Sequence, residues 1–455
     1  MHHWLQCVYA GDIAGGMGSS RPALALRLLE DQPALAQQIA ADPWLACAVG
    51  DLGVLRAATA QDPGWVHRPG GPLVLPPLVA VTHSSLLRLP EWRERLHACA
   101  RLLLDAGADV NQATGSRWPP ASPAAPAADA PLSALYGAAG RNHDAVLAQL
   151  LLDAGANPND GESLYHALED ADCTRLLLQA GARVTGSNAM YRVLDLDALE
   201  VLQLLLAHGG NANEPGHGPW NTPLLWAIRR RRSPAHIAAL LDAGAQAAVQ
   251  NPDGISAYTL AMRYGLPEVA RLIEQAGGGS NLPTDEQFMA ACAQANGAVA
   301  RQLLAQHPGL LQQLSPSQLR LLPEWAAQGC GDAVQLMVQL GWPITTQGGD
   351  WQASALNHAV FRGDAALTRF LLAHGAQWTE QHGFGDNACG TLGWASCNTP
   401  EPGGDWLGCA QALVAHGMPM ATPDPASAGT VLISGERKQF SDEVRDFLLG
   451  TAPGE

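Results

Sequence analysis

Lysine is almost missing from this chain. Of 26 cationic residues only Lys438 is a lysine, and the rest are arginine. A phosphate-cradling P-loop needs a lysine directly after its glycines, and Lys438 follows Arg437, so that chemistry is excluded. Acidic residues number 42, which sets the formal net charge at −16. The deficit of positive charge argues against a basic groove for nucleic acid. It fits solubility, or more sharply a cationic partner. The nine cysteines form no CxxC and read as reduced thiols, not as a disulfide framework. The longest apolar run, Pro72–Val81, spans ten residues with three prolines, too short to cross a membrane. The opening MHHWLQCVYAGDIAGGMGSS has no basic region and no sustained apolar stretch, so no secretory signal is expected. The expected compartment is therefore the cytoplasm, with no membrane partner. HExxH and G-x-S-x-G are absent too. Arginine in place of lysine, with 48 glycines and 32 prolines, suggests a GC-rich bacterial genome.

What is present is repetition. LLLDAGADVN (Leu102–Asn111) returns as LLLDAGANPN (Leu150–Asn159), then in degraded form as LLLQAGARVT and FLLAHGAQWT. The glycine of each copy serves as a ruler: Gly107, Gly155, Gly181, Gly209, Gly244, Gly277, Gly341, Gly375 and Gly417. The intervals are 48, 26, 28, 35, 33, 64, 34 and 42, a period near 33 with one insertion, two short units and one double step. The leucines make one wide apolar stripe on a helix. The glycine is expected just past the helix end, in a left-handed conformation where a Cβ would clash. A second signal precedes each ending: NTPLLWA (Asn221–Ala227), LSALYGAA (Leu132–Ala139), ISAYTLA (Ile255–Ala261) and ASALNHA (Ala353–Ala359). There a Ser or Thr hydroxyl starts a helix, and small alanines let it lie close to its neighbours.

Two motifs recurring in phase at this period resemble the ankyrin repeat, with its T-P-L-H-x-A helix start, two antiparallel helices and a hairpin finger. Only NTPL keeps the full Thr-Pro-Leu, and no unit keeps the histidine that follows. The resemblance implies an all-α ankyrin-repeat solenoid of about eleven to twelve stacked helix-turn-helix units with hairpin finger loops. The expected organisation is a helical cap over 1–41, the array over 42–420, and a capping helix and tail over 421–455. Within 421–455, Phe440–Gly450 reads as one amphipathic helix with Ser441 as N-cap. The Ala/Pro-rich stretch Gln112–Pro131 has no apolar period and reads as a mobile surface loop.

No catalytic constellation emerges, and no cofactor or metal is expected. GFGDNA (Gly383–Ala388) matches G-x-G-x-x-A but lacks the strand and parallel sheet of a dinucleotide fold, so it reads as a finger loop. Cys389, Cys397 and Cys409 lie near His382 and His416 without a usual zinc spacing. His208, His374 and His416 share an AHG helix end, where a cation suits free carbonyls. Arg229, Arg230, Arg231 and Arg232 form the one basic run, either a solvated turn pairing with acidic neighbours or a docking patch. Tryptophan, at 13, outnumbers tyrosine and phenylalanine at six each. Trp226, Trp325 and Trp394 fall in first-helix signals and are expected in the core. Trp118, Trp220, Trp342, Trp351 and Trp378 fall in loops or fingers.

The resemblance implies a non-catalytic interaction scaffold, a monomer that holds another protein on its concave face. Trp220, Trp342, Trp351 and Trp378 are the contact candidates because rigid aromatics anchor interfaces. Asn213, Asn251 and the four arginines are the weaker candidates. Two alternatives share the chain: an effector or immunity-type inhibitor that occludes a target enzyme, and a cryptic enzyme or metal site within 382–416.

Overall fold

The computed structural model describes residues 1–16, 18–426 and 429–450. The chain is mostly helical and divides into two compact units. The first comprises Met1–Ala257 with Leu272–Gly278; the second comprises Tyr258–Arg271 with the chain from Gly279 onward.

In the first unit short helices lead. His2–Val8, Gly11–Ala14, Pro22–Asp31, Pro33–Ala41, Pro43–Val49 and Leu52–Gln61 follow one another. Proline opens several of them, where its missing N–H costs nothing and its fixed φ suits a helix. Pairs of helices follow: Pro77–Thr82 with Pro90–Asp105, Tyr136–Arg141 with Ala145–Asp153, and Ser163–Ala167 with Ala171–Gln179. Ala189–Asp195 with Leu199–Ala207, and Pro223–Arg229 with Pro234–Asp242, continue the series. The shorter first helices pack on the next first helix, and the longer second helices on the next second helix. The second unit repeats this arrangement with Leu321–Ala327 and Gly331–Gln339, Ala355–Phe361 and Ala365–Ala373, and Ala388–Asn398 and Trp406–Ala415.

The glycine ruler has the conformation its position demands. All nine glycines have φ between 86° and 101°. At Gly155 the amide donates to Leu152 O at 3.0 Å, and Ala156 N donates to Leu151 O at 2.9 Å, so the orphan carbonyls of the helix end are satisfied. Four residues before each glycine stands a side chain at 0% exposure: Leu103, Leu151, Leu177, Leu205, Leu240, Ile273, Met337, Leu371 and Leu413. The residues flanking the central leucine, such as Leu102 and Leu104, are only half-buried, because each step turns the helix by about 100°. His208, His374 and His416 each turn Nδ1 to the carbonyl four residues back, at 2.8–2.9 Å.

Asparagines four residues past three of these glycines tie successive fingers together. Asn111 donates to Gly155 O (3.2 Å) and accepts from Asn157 N (2.8 Å). Asn159 does the same to Gly181 O (3.1 Å) and Arg183 N (2.8 Å), and Asn213 to Gly244 O (2.8 Å) and Gln246 N (2.9 Å). This ladder is why the quoted decapeptides both end in asparagine.

Three expectations need correction. Residues 112–131 are not an irregular loop: Ala113–Ser116 pairs antiparallel with Ala127–Ser133. The buried Arg117 side chain holds the hairpin, donating to Leu73 O at 2.6 Å, while its backbone N–H reaches Asp12 O at 2.7 Å. Before the last helix, Asp442–Leu449, the chain forms a three-stranded sheet of Thr422–Pro423, Val431–Ile433 and Glu436–Lys438. Ser434 and Gly435, at φ 52° and 84°, make the tight turn of its hairpin. Ser441 does precede that helix, but its hydroxyl does not cap it; its N–H donates to Ser396 Oγ instead. Residues 427–428 and 451–455 of the expected segment 421–455 lie outside the described residues.

Candidate functional site

The second unit carries an aromatic cavity of about 630 Å³, within the size range of ligand sites. Two fingers and two first helices build it. Gln347–Gly348 pairs with Ala353–Ser354, and the turn between them presents Asp350 and Trp351. Phe361 ends the helix Ala355–Phe361, and Trp394 projects from Ala388–Asn398. The GFGDNA segment forms the second finger loop. Gly383 N–H donates to Trp351 O at 2.9 Å, and a Cβ on Gly383 would stand only 2.9 Å from that oxygen. Glycine is therefore needed for the fingers to meet. Asn387 then caps the next helix by accepting from Cys389 N at 3.0 Å.

The rings touch in sequence. Phe361 and Trp394 stack with centroids 5.3 Å apart and 10° between planes. Trp351 meets Phe361 at 5.7 Å and the edge of His382 at 4.9 Å, and His382 meets Phe384 at 6.0 Å. Phe384 is 81% exposed and Trp394 54% exposed, so large apolar area faces water. Trp394 is a further correction: it was expected in the core. Its helix buries the Thr391, Leu392 and Ala395 face instead.

Beneath the rings His358 is buried with its ring 4.8 Å from Trp351 and Nε2 3.4 Å from Gly348 O. Burial pushes its pKa down to about 4. Burial and Lys438 also lower His382, against the pull of Asp386. At the rim, Lys438 Nζ bonds both oxygens of Asp386, at 3.0 and 2.9 Å, and reaches Glu436 at 3.3 Å. Burial alone would raise the Asp386 carboxyl, but Lys438 and the Asn387 N–H hold it below the usual range.

Of the contact candidates named in the sequence, the structure brings Trp351 to this cavity and the others elsewhere; His382 and Trp394, named there for other reasons, also line it. Trp378 is half-buried and gives its carbonyl to Ala388 N at 3.2 Å. Trp342 is buried, stacked on Phe288 at 6.1 Å, with Nε1 on Leu319 O at 3.1 Å. Trp220 is half-buried in the turn Gly218–Trp220, with the Arg229 guanidinium 5.6 Å from its ring. Asn213 belongs to the ladder, and Asn251 shapes its own turn by accepting from Asp253 N and Ile255 N. The arginine run is engaged internally: Arg229 and Arg230 lie over Trp226, Arg230 pairs with Asp195 at 2.7 Å, and Arg232 with Asp197 at 2.8 Å. Arg231 takes a left-handed φ of 54° at the turn between the paired helices. Cys389 and Cys409 are buried and Cys397 is exposed. Among the described residues no three His, Cys, Asp or Glu side chains group to hold a metal ion.

Phe361, His382, Phe384 and Trp394 were missed as a set. Their signal lay in the spacing: Trp351 to Phe384 and Phe361 to Trp394 are each 33 residues, one repeat apart.

No family model matches the chain, and no curated protein matches it. Among solved structures, an ankyrin repeat domain from Acinetobacter baumannii is similar at 22% identity and a TM-score of 0.34. The likeness covers 42% of this chain and 96% of that one. No helix among the described residues is long and apolar enough to cross a membrane.

Proposed function

We propose that this protein is an ankyrin-type interaction scaffold that holds a partner protein, without catalysis, at the Trp351–Phe361–Trp394 cavity. The observation that carries this reading is the exposure of Phe384 and Trp394 beside Trp351. Contiguous exposed aromatics cost hydration free energy and characterise interaction sites. The cavity rests on two fingers and two helices, so its rings are positioned before a partner arrives, which limits the entropy lost on binding. The repeat array proposed for 42–420 includes these fingers and helices.

The test is an affinity capture from the source organism's lysate, comparing wild type with the Phe384→Ala/Trp394→Ala variant. The melting temperature of the variant is measured alongside, because Trp394 also stacks on Phe361. A protein retained by wild type and lost by the variant supports the reading. Equal retention by both moves the site away from this cavity.

A further inference from the structure

The polar side chains lining the cavity divide into two sets. Those that carry an acceptor are engaged. Asp386 is bound through both oxygens by Lys438, at 3.0 and 2.9 Å. The Thr391 hydroxyl donates to Asn357 Oδ1 at 2.9 Å, and Asp350 also has a partner. His382 Nδ1 accepts from Phe384 N at 3.3 Å, which leaves the proton of the neutral ring on Nε2. Burial and Lys438 favour that neutral form against the pull of Asp386. The second set consists of N–H donors. Trp351 Nε1, Trp394 Nε1 and His382 Nε2 have no partner among the described residues. Neither Trp351 Nε1 nor His382 Nε2 is sealed from solvent, and Trp394 is 54% exposed.

A guest that covers these rings therefore displaces water from N–H donors. A hydrocarbon side chain offers them nothing in return, which is unfavourable. A charged guest finds the rim already neutralised, because Lys438 and Asp386 hold each other. An ordinary peptide brings carbonyl acceptors but also N–H groups, and the side-chain acceptors of the wall are engaged. A run of prolines brings carbonyls and no N–H. Resting on the scaffold reading above, we infer that the cavity takes a proline-rich segment of a partner polypeptide in the polyproline II conformation, its rings against Trp351 and Trp394 and its carbonyls accepting from the indole N–H groups. The partial charges match. Aromatic faces are negative and meet the C–H groups that proline's amide nitrogen polarises; the positive indole N–H edges meet carbonyl oxygens. The rings form a stepped wall rather than a closed cage, with Trp351 tilted against the Phe361–Trp394 stack. The open side at Phe384, 81% exposed, lets an extended chain enter and leave. Polyproline II is largely formed before binding, so little entropy is lost on docking.

The experiment is a selection of random heptapeptides on the whole wild-type chain, with counter-selection on Phe384→Ala/Trp394→Ala. Phe384→Ala alone replaces the pair if the pair lowers the melting temperature. The expected result is a set of peptides that share closely spaced prolines and fail on the variant. Replacing those prolines by alanine restores the N–H groups and loosens the backbone, and should weaken binding at least tenfold. Trp394→Phe keeps a flat ring but removes one N–H, and should weaken it severalfold. Added salt should leave binding unchanged, because no ion pair forms. Ring-dependent peptides that lack proline, tolerate alanine, are released by salt or bind Trp394→Phe as tightly as wild type would overturn the proline assignment and leave the scaffold reading standing. Finding no peptide whose binding depends on the exposed rings would overturn both.

Discussion

His358 links the fold of the second unit to pH. It lies on Ala355–Phe361, nearly without exposure, with Trp351 against its ring and Gly348 O beside Nε2. Burial is the largest influence on its pKa; Arg362 and His382 add to the depression, while the Gly348 carbonyl and Asp350 oppose it. The folded pKa of about 4 lies below the ordinary 6.5. Between those values the unfolded chain binds a proton that the folded chain refuses, so stability rises with pH. The contribution is complete above about 6.5 and is lost as pH falls toward 4. At about 1.4 kcal/mol per pH unit, the full window corresponds to about 3 kcal/mol. The perturbation is His358→Gln, which keeps an N–H donor for Gly348 O and cannot titrate. Urea unfolding of both proteins, followed by tryptophan fluorescence from pH 7.5 to 4, gives the comparison. His83, His236 and the other histidines are common to both and cancel. Wild type should lose about 3 kcal/mol more than the variant across that range. Parallel losses in the two proteins would refute the claim that this imidazole is held neutral by burial.

The asparagine ladder should be measurable one rung at a time. Asn159→Ala removes two hydrogen bonds to the next finger and should cost about 1–2 kcal/mol, with faster hydrogen exchange at the Arg183 amide. Gly155→Ala meets no atom within 4 Å but must hold φ near 92°, so urea unfolding should show a loss of about 1–2 kcal/mol from backbone strain alone. Asp12 accepts from Tyr136 Oη at 2.8 Å and from Arg141 at 2.9 and 2.6 Å, pinning the N-terminal helices to the Tyr136–Arg141 helix. Asp12→Ala should destabilise by about 3 kcal/mol in thermal unfolding, because it strands a partly buried guanidinium.

The repeat was legible because its physics is local. A glycine past a helix end needs positive φ whatever surrounds it, and the side chain four residues earlier always faces inward. The loop reading of 112–131 failed because that segment is ordered by distant partners, Leu73 and Asp12, that periodicity cannot show. The hairpin at Ser434–Gly435 did carry a turn signal, but its flanking strands are only three residues long. For the candidate site, Trp351 was legible as a finger aromatic. Trp394 was not, because a helix-start signal gives no rotational phase, and Trp342 was misleading because a finger position can still fold inward onto Phe288. Asn213 was legible as special, yet its role lies in the next finger's backbone.

The most direct test of the central claim is site-specific photocrosslinking in the source organism's lysate. A photoreactive phenylalanine analogue is placed at position 384, at 394, or at the exposed Val146 as a control in the first unit. If the aromatic cavity is the docking site, positions 384 and 394 will trap the same partner protein and position 146 will trap none of it. Equal trapping at all three, or trapping at 146 alone, would contradict the account.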